Sequence, residues 1–353
     1  RRAAQNTQKN RREVNGIIFT SELKTLFMIS GKYIRGLLIL AFLLTTIKVN
    51  AQIKSDYPFP VNYLALKAQQ NTYRMAYMLV KPTKPNGKTV VLLHGKNFNG
   101  AYWKTTAELL SENGFTVVIP DQIGFGKSSK PENFQYSFQQ LSLNTKILLD
   151  SLKIQSAIVL GHSMGGMLAT RFTLMYPEFV SQLVLVDPIG LEDYKLKVPY
   201  QSIDELYNKE IKQNFKSLKK YQQENYYHGE WKPEYDQWLN FMVEQTMQND
   251  YPGIAKNNAL TTDMIMTQPV VYELQNIKAS TLLIVGSLDK TALGKDQVSK
   301  EVQKTMGNYT ELAEKTQRII PDCELEIIEG AGHLPHIESF DKFSKALLDF
   351  LLN

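Results

Sequence analysis

The sequence predicts an α/β fold, a doubly wound and mostly parallel sheet with a helical segment inserted between two of its strands. Three features of the 353-residue chain carry that reading. From residue 57 onward, short β-branched runs alternate with longer helical stretches, as βαβ units require. Several runs (VVLL, TVVI, AIVL, LVLV and LLIV) are apolar without a break, which suits strands covered on both faces. One interval of about ninety residues, between Asp187 and Thr281, has no strong strand run. It is instead rich in Tyr and Trp and punctuated by Pro188, Pro199, Pro233, Pro252 and Pro269.

The elements follow in chain order. Residues 1–27 are polar and without periodicity, and they precede Met28, where a secretory leader would begin. They read as a disordered upstream extension. Lys32 and Arg35 then stand before the apolar run LLILAFLLTTI, which gives way to Val49-Asn50-Ala51. A basic start, a short apolar stretch and a small residue at the cut describe a signal peptide over 28–51. The run is about 11 residues, whereas a bilayer span takes about 20. No stable membrane insertion is therefore expected once the leader is cut after Ala51, and the protein is expected in the periplasm or secreted.

Charge separates the leader from the body. Residues 1–51 hold nine of the 40 Lys and Arg but two of the 35 Asp and Glu, so a formal charge of +5 becomes −2 over 52–353. A nearly neutral body carries no phosphate-binding footprint, and no nucleic-acid partner is expected. Cys323 is the single cysteine, which excludes an internal disulfide; it reads as a semi-buried residue before a strand.

Past the leader, strands are expected at 72–80, 89–94, 115–120, 156–160, 182–187, 281–285 and 324–328. Helices are expected at 103–113, 138–152, 165–176, 293–314 and 340–351. The core then comprises 52–187 and 271–353, with the helical insertion at 188–270.

The strongest chemical signal is Gly161-His162-Ser163-Met164-Gly165, which a buried strand enters and a helix leaves. A serine on a very sharp strand-to-helix turn lifts its Oγ clear of the sheet, and glycines two residues to either side remove side chains that would collide there. Such a serine needs a base, and the base needs an orienting carboxylate, in the chain order serine, acid, histidine. Asp289 follows the apolar strand in LLIVGSLDKTA, and His333 follows the last strand in EIIEGAGHLPHIE, where Gly330 and Gly332 allow a tight loop.

Five histidines bound the alternatives. His94 and His162 sit in Gly-adjacent turns and read as structural, His228 lies in the insertion, and His336 competes with His333 from three residues on. Asp187, at the end of LVLVD, is the competing acid; otherwise it caps the segment that begins at Pro188. Backbone N–H donors are also needed where negative charge develops. Met164 is expected to supply one, and Lys96, or failing that Asn97, the other from the loop HGKNFNG. The Lys96 side chain reads as solvated.

One decoy falls away. Gly126-Lys127-Ser128 looks like the end of a phosphate-binding loop, but position 121 is Asp where that motif needs Gly. No His, Cys or Asp cluster has metal-ligand spacing, and no G-x-G-x-x-G opens the first βα unit. Neither metal nor other cofactor is expected.

Taken in order, LLHGKNFNG, DQIGFGKSS, GHSMGG, GSLDKTA and GAGHLPHIE resemble the α/β-hydrolase superfamily, in its group with a helical cap, over roughly residues 57–353. The resemblance implies that 188–270 is a cap lying over Ser163 and shaping a pocket for a small-molecule substrate. Serine rather than aspartate at the nucleophile position argues against the superfamily's haloalkane dehalogenases and epoxide hydrolases. Lys96 departs from the Gly or aromatic residue that many relatives carry there, which bears on substrate and not on fold.

The expectation is an exported, cofactor-independent serine hydrolase acting on a small or medium carboxylic ester through an acyl-enzyme on Ser163. Lactone, thioester, small-amide and C–C cleavage remain open to the same triad. A membrane-surface lipase and a non-catalytic ligand receptor are the competing readings. The aromatics of the cap (Tyr194, Tyr200, Tyr207, Tyr221, Tyr226, Tyr227, Tyr235, Tyr251, Trp231 and Trp238) either wall the pocket or pack the cap's own core, and most are expected in the core.

Overall fold

The unbroken apolar runs become the middle of the sheet. β3 (Thr89–Leu93), β4 (Thr116–Pro120), β5 (Ala157–His162), β6 (Val180–Val186), β7 (Ser280–Gly286) and β8 (Cys323–Ile328) pair in parallel. β1 (Val61–Ala68) and β2 (Asn71–Val80) form an antiparallel hairpin, and β2 adds antiparallel to β4. The spatial order is β1-β2-β4-β3-β5-β6-β7-β8. This computed structural model describes residues 57–353; the extension 1–27, the signal peptide 28–51 and the cut after Ala51 lie outside the described residues.

Helices alternate with the strands: α1 (Lys104–Glu112), α2 (Phe138–Ser151), α3 (Met164–Met175), α4 (Ile203–Glu210), α5 (Phe215–Asn225), α6 (Asp236–Thr246), α7 (Tyr251–Thr267), α8 (Lys300–Gln303), α9 (Tyr309–Ile319), α10 (Pro335–Glu338) and α11 (Phe340–Leu352). In β3, Val90 and Leu92 join one apolar cluster and Val91 and Leu93 the other, as the two-residue strand period dictates. α1 and α11 pack on the first face, whereas α2, α3 and α9 pack on the second. All four β3 side chains are fully buried, and each such burial is worth about 1.5–3 kcal/mol. The sheet is thus doubly wound, as expected.

Three elements differ from the sequence expectation, one being the single-turn α10, which none of the expected helices covers. β1 was not foreseen because only Leu66 of VNYLALKA is buried, so this edge strand presents no apolar run. The single helix expected over 293–314 is broken into a 3-10 turn (Lys295–Gln297), α8 and α9. Gly294 and Gly307 lie at φ +71° and +68°, outside the helical region; Gly294 stands just before the 3-10 turn and Gly307 between α8 and α9.

Between β6 and β7 lie α4 to α7 and short 3-10 turns, with no strand. Ser202 and Glu205 close a capping box at the start of α4, and Asn214 and Ser217 do so for α5. No helix among the described residues is long and apolar enough to cross a membrane. The carboxyl ends of the parallel strands β3, β5, β7 and β8 open on one edge of the sheet, the usual place for a ligand crevice.

Candidate active site

β5 ends at His162 and α3 begins at Met164, so Ser163 alone makes the turn, with φ 57° and ψ −123°. Such a conformation costs a non-glycine residue about 1–3 kcal/mol and persists only where its surroundings enforce it. They do so here by close approach. A Cβ at Gly161 would strike the Gly165 carbonyl, and one at Gly165 would strike that of Leu93. The Ser163 N–H donates to Val186 O at 3.1 Å, fastening the turn to β6.

Three loops from three strands meet at this serine. His333 Nε2 lies 3.0 Å from Ser163 Oγ, and His333 Nδ1 lies 2.7 Å from Asp289 Oδ2. Asp289 Oδ1 also accepts the Thr291 N–H at 2.8 Å. His333 and Asp289 are essentially fully buried. A carboxylate only accepts, so Nδ1 carries the proton and Nε2 is left to accept from the serine hydroxyl.

The competitors fall elsewhere. Asp187 is buried beside Asp289 and accepts the Gly286 N–H at 3.0 and 3.3 Å; it makes no hydrogen bond to His333 and does not cap the segment at Pro188. Burial, and then the Asp289 carboxylate beside it, push its pKa well above the usual carboxylate range. His336 packs against Trp103, Tyr102 and His162, with ring centroids 4.6, 5.2 and 4.7 Å away, and makes no hydrogen bond among the described residues. His94 Nε2 accepts the Gln122 N–H at 3.0 Å, a structural role.

Sequence reasoning missed the groups that hold His333 in place. His162 Nε2 donates to the His333 carbonyl at 2.8 Å, and Nδ1 accepts from the Tyr102 hydroxyl at 3.1 Å. Glu338 accepts the N–H groups of Gly332 and Leu334 at 3.1 and 2.9 Å, gripping the loop on either side of His333. Burial pushes the Glu338 carboxyl up to about 7. Glu338 stands five positions after His333, so its proximity was the one signal on offer.

The loop after β3 leaves two donors free. The Gly95 N–H donates to Tyr102 Oη at 3.0 Å and the Phe98 N–H to Gly95 O at 3.2 Å. Among the described residues, the N–H groups of Lys96, Asn97 and Met164 donate to no protein acceptor. The Lys96 side chain corrects its expected solvation: it is 13% exposed, and Nζ pairs with Glu210 of α4 at 3.2 Å.

A cavity of about 390 Å³ opens above Ser163, its wall including Lys96, Leu206, Tyr221, Tyr226 and Ile265. Of the ten cap aromatics named from the sequence, only Tyr221 and Tyr226 line it. Tyr227 and Tyr235 instead stack on each other at 3.7 Å within the cap, and Tyr194 and Tyr251 are likewise buried. Packing has claimed most of them.

Asp187, Asp289 and His333 each offer one ligand-type atom, all within 4.8 Å of one another. These are the groups among the described residues able to hold a cation, although His333 Nδ1 is committed to its bond with Asp289.

Fold and site together define a class of protein, and comparison with known proteins agrees. The family model for the alpha/beta hydrolase fold matches residues 88–340, and the chain belongs to that family. A "probable hydrolytic enzyme" from Pseudomonas aeruginosa PAO1, known from a crystal structure, is 46% identical over 84% of this chain and 95% of its own, with a TM-score of 0.83. A 2-hydroxy-6-oxo-6-phenylhexa-2,4-dienoate hydrolase of Burkholderia cepacia is 26% identical over 76% of this chain and 88% of its own. Lipase 1 of Psychrobacter immobilis is 28% identical over 72% and 74% respectively. Against an uncharacterized protein of Mycobacterium tuberculosis, 33% identical over 119 residues, the chain spans about a third of the relative's length.

Proposed function

We propose that the protein is an exported, cofactor-independent serine hydrolase that cleaves a small or medium carboxylic ester. The observation that carries this reading is the buried Asp289–His333–Ser163 chain, with spacings of 2.7 and 3.0 Å, beside N–H groups that have no acceptor among the described residues. Ser163 Oγ attacks the acyl carbon as His333 Nε2 takes its proton. Asp289 holds the ring and stabilises the imidazolium. The Met164 N–H and that of Lys96 or Asn97 receive the oxyanion, a contribution of about 3–4 kcal/mol per donor in comparable sites. His333 then returns the proton to the leaving alcohol, and a water deprotonated by His333 releases the acid from the acyl-enzyme.

The cavity supports the size class. About 390 Å³ lies near the lower end of ordinary ligand pockets, roughly 300–1,000 Å³, and favours short or medium acyl groups. The basic, apolar and small-residue pattern over 28–51 supports export. The relative named as a dienoate hydrolase favours one second reading, cleavage of a C–C bond in a diketone-like substrate by the same three side chains.

A panel of 4-nitrophenyl acetate, butyrate, octanoate and palmitate, with a 1,5-diketone alongside, tests the reading on purified protein. Butyrate is expected to be cleaved at least ten-fold more efficiently than palmitate, and Ser163→Ala to remove about 10⁴-fold or more of that activity. Full activity in Ser163→Ala overturns the mechanism, and preference for the diketone overturns the ester assignment.

A further inference from the structure

The last turn of α5 touches all three loops of the site. A helix end leaves carbonyl groups without intrahelical partners, and they must be satisfied from elsewhere. Here the partners come from the catalytic loops. The Tyr226 carbonyl accepts the His333 N–H at 2.9 Å, and the Asn225 carbonyl accepts the Thr291 hydroxyl at 3.0 Å, two residues from Asp289. The Tyr226 side chain then reaches the third loop, where its hydroxyl accepts from Asn97 Nδ2 at 2.6 Å. Its ring lies nearly parallel to the His333 imidazole, with centroids 5.1 Å apart and planes 27° apart, and packs on Phe98 at 5.9 Å. There is no slack between cap and loop: a Cβ at Gly332 would strike the Tyr226 carbonyl.

We propose that Tyr226 is a positioning residue, a brace by which the cap fixes the oxyanion loop and the His333 loop relative to each other. The inference rests on the serine-hydrolase reading and deepens it, because the cap then sets transition-state geometry as well as pocket shape. Nothing else in the cap makes the same set of contacts. Tyr221, the other aromatic on the cavity wall, meets Tyr226 edge-on at 5.3 Å and bonds neither loop through its ring. The Lys96–Glu210 ion pair ties the oxyanion loop to α4 but leaves His333 untouched. Tyr226 is 4% exposed, and its hydroxyl bond to Asn97 lies part-buried at the cavity wall.

The brace is tested in the full protein with Tyr226→Phe, which removes only the hydroxyl, with Asn97→Ala, which removes its partner, and with the double variant. Each single change is expected to lower kcat on 4-nitrophenyl butyrate about ten-fold, with KM within two-fold of the parent. The double variant is expected to fall no further than Tyr226→Phe alone, since the Asn97 change breaks a bond that the Tyr226 change already removes. Rates of labelling by a fluorophosphonate should fall in parallel. Independently of activity, amide hydrogen exchange over residues 94–100 and 331–336 should quicken in both variants while the unfolding midpoint stays within a few degrees. Parent-like kcat and exchange in Tyr226→Phe, or losses that multiply in the double variant, overturn the brace. A parent protein that neither cleaves the ester nor takes the label overturns the hydrolase reading instead, and the exchange rates still decide the brace.

Discussion

At Ser163 the backbone adopts a positive φ that most side chains avoid, and the conformation presents the hydroxyl to His333 Nε2. Each member of the triad was legible because each follows a buried strand at a recognisable turn. Choosing between the two acids needed three dimensions. Asp187 and Asp289 both follow apolar strands, yet only Asp289 bonds the imidazole, while Asp187 is buried beside Asp289 with its pKa driven upward. Asp289→Asn is therefore expected to lower kcat by about 10⁴-fold, since the wrong imidazole tautomer follows when the acceptor is replaced. Asp187→Asn is expected to stay within ten-fold of the parent, because an amide still supplies the Gly286 N–H with an acceptor. Steady-state kinetics on both variants checks the assignment, and the reverse order would move the acid to position 187. Tyr226, Glu338 and His162 were not legible as supports: Tyr226 meets His333 from over a hundred residues away, and no spacing rule encodes such a contact.

Elements were legible to the degree that burial shaped their composition. β3 to β7 are covered on both faces and read as apolar runs. β1 is an edge strand with one buried residue and left no such trace. The stretch over 293–314 has helical composition throughout, and its interruption was written in single residues: Gly294 and Gly307 at positive φ, with Ser299 capping α8. The cap helices were expected as a group, and their capping boxes explain where α4 and α5 begin. Their arrangement over the sheet edge was implied by family resemblance, because hydrophobic periodicity says which face of a helix is covered and not what covers it.

Across the whole molecule, the buried titratable groups couple stability to pH. Burial lowers the His336 pKa from 6.5 to about 3, so between these values the unfolded chain binds a proton that the folded protein excludes. Stability contributed by His336 is complete above pH 6.5 and is lost as pH falls. Glu338 acts in the opposite direction: raised from 4.5 to about 7, it keeps its proton in the folded state across that window, so its contribution declines as pH rises. His162, lowered mainly by burial, adds to the acid sensitivity. His336→Leu is expected to reduce the slope of unfolding free energy against pH by about 1.4 kcal/mol per unit between pH 4 and 6, one proton's worth. Urea unfolding at several pH values measures it, and an unchanged slope would show that His336 is not the excluded proton site.

The central claim is that a buried imidazole activates Ser163 for attack. The most direct measurement is the site and pH dependence of covalent labelling by a fluorophosphonate, read by peptide mass spectrometry. One phosphonyl group on Ser163, with labelling lost in His333→Ala, is the predicted result. Labelling at another residue, or labelling of Ser163 at the same rate without His333, would contradict it.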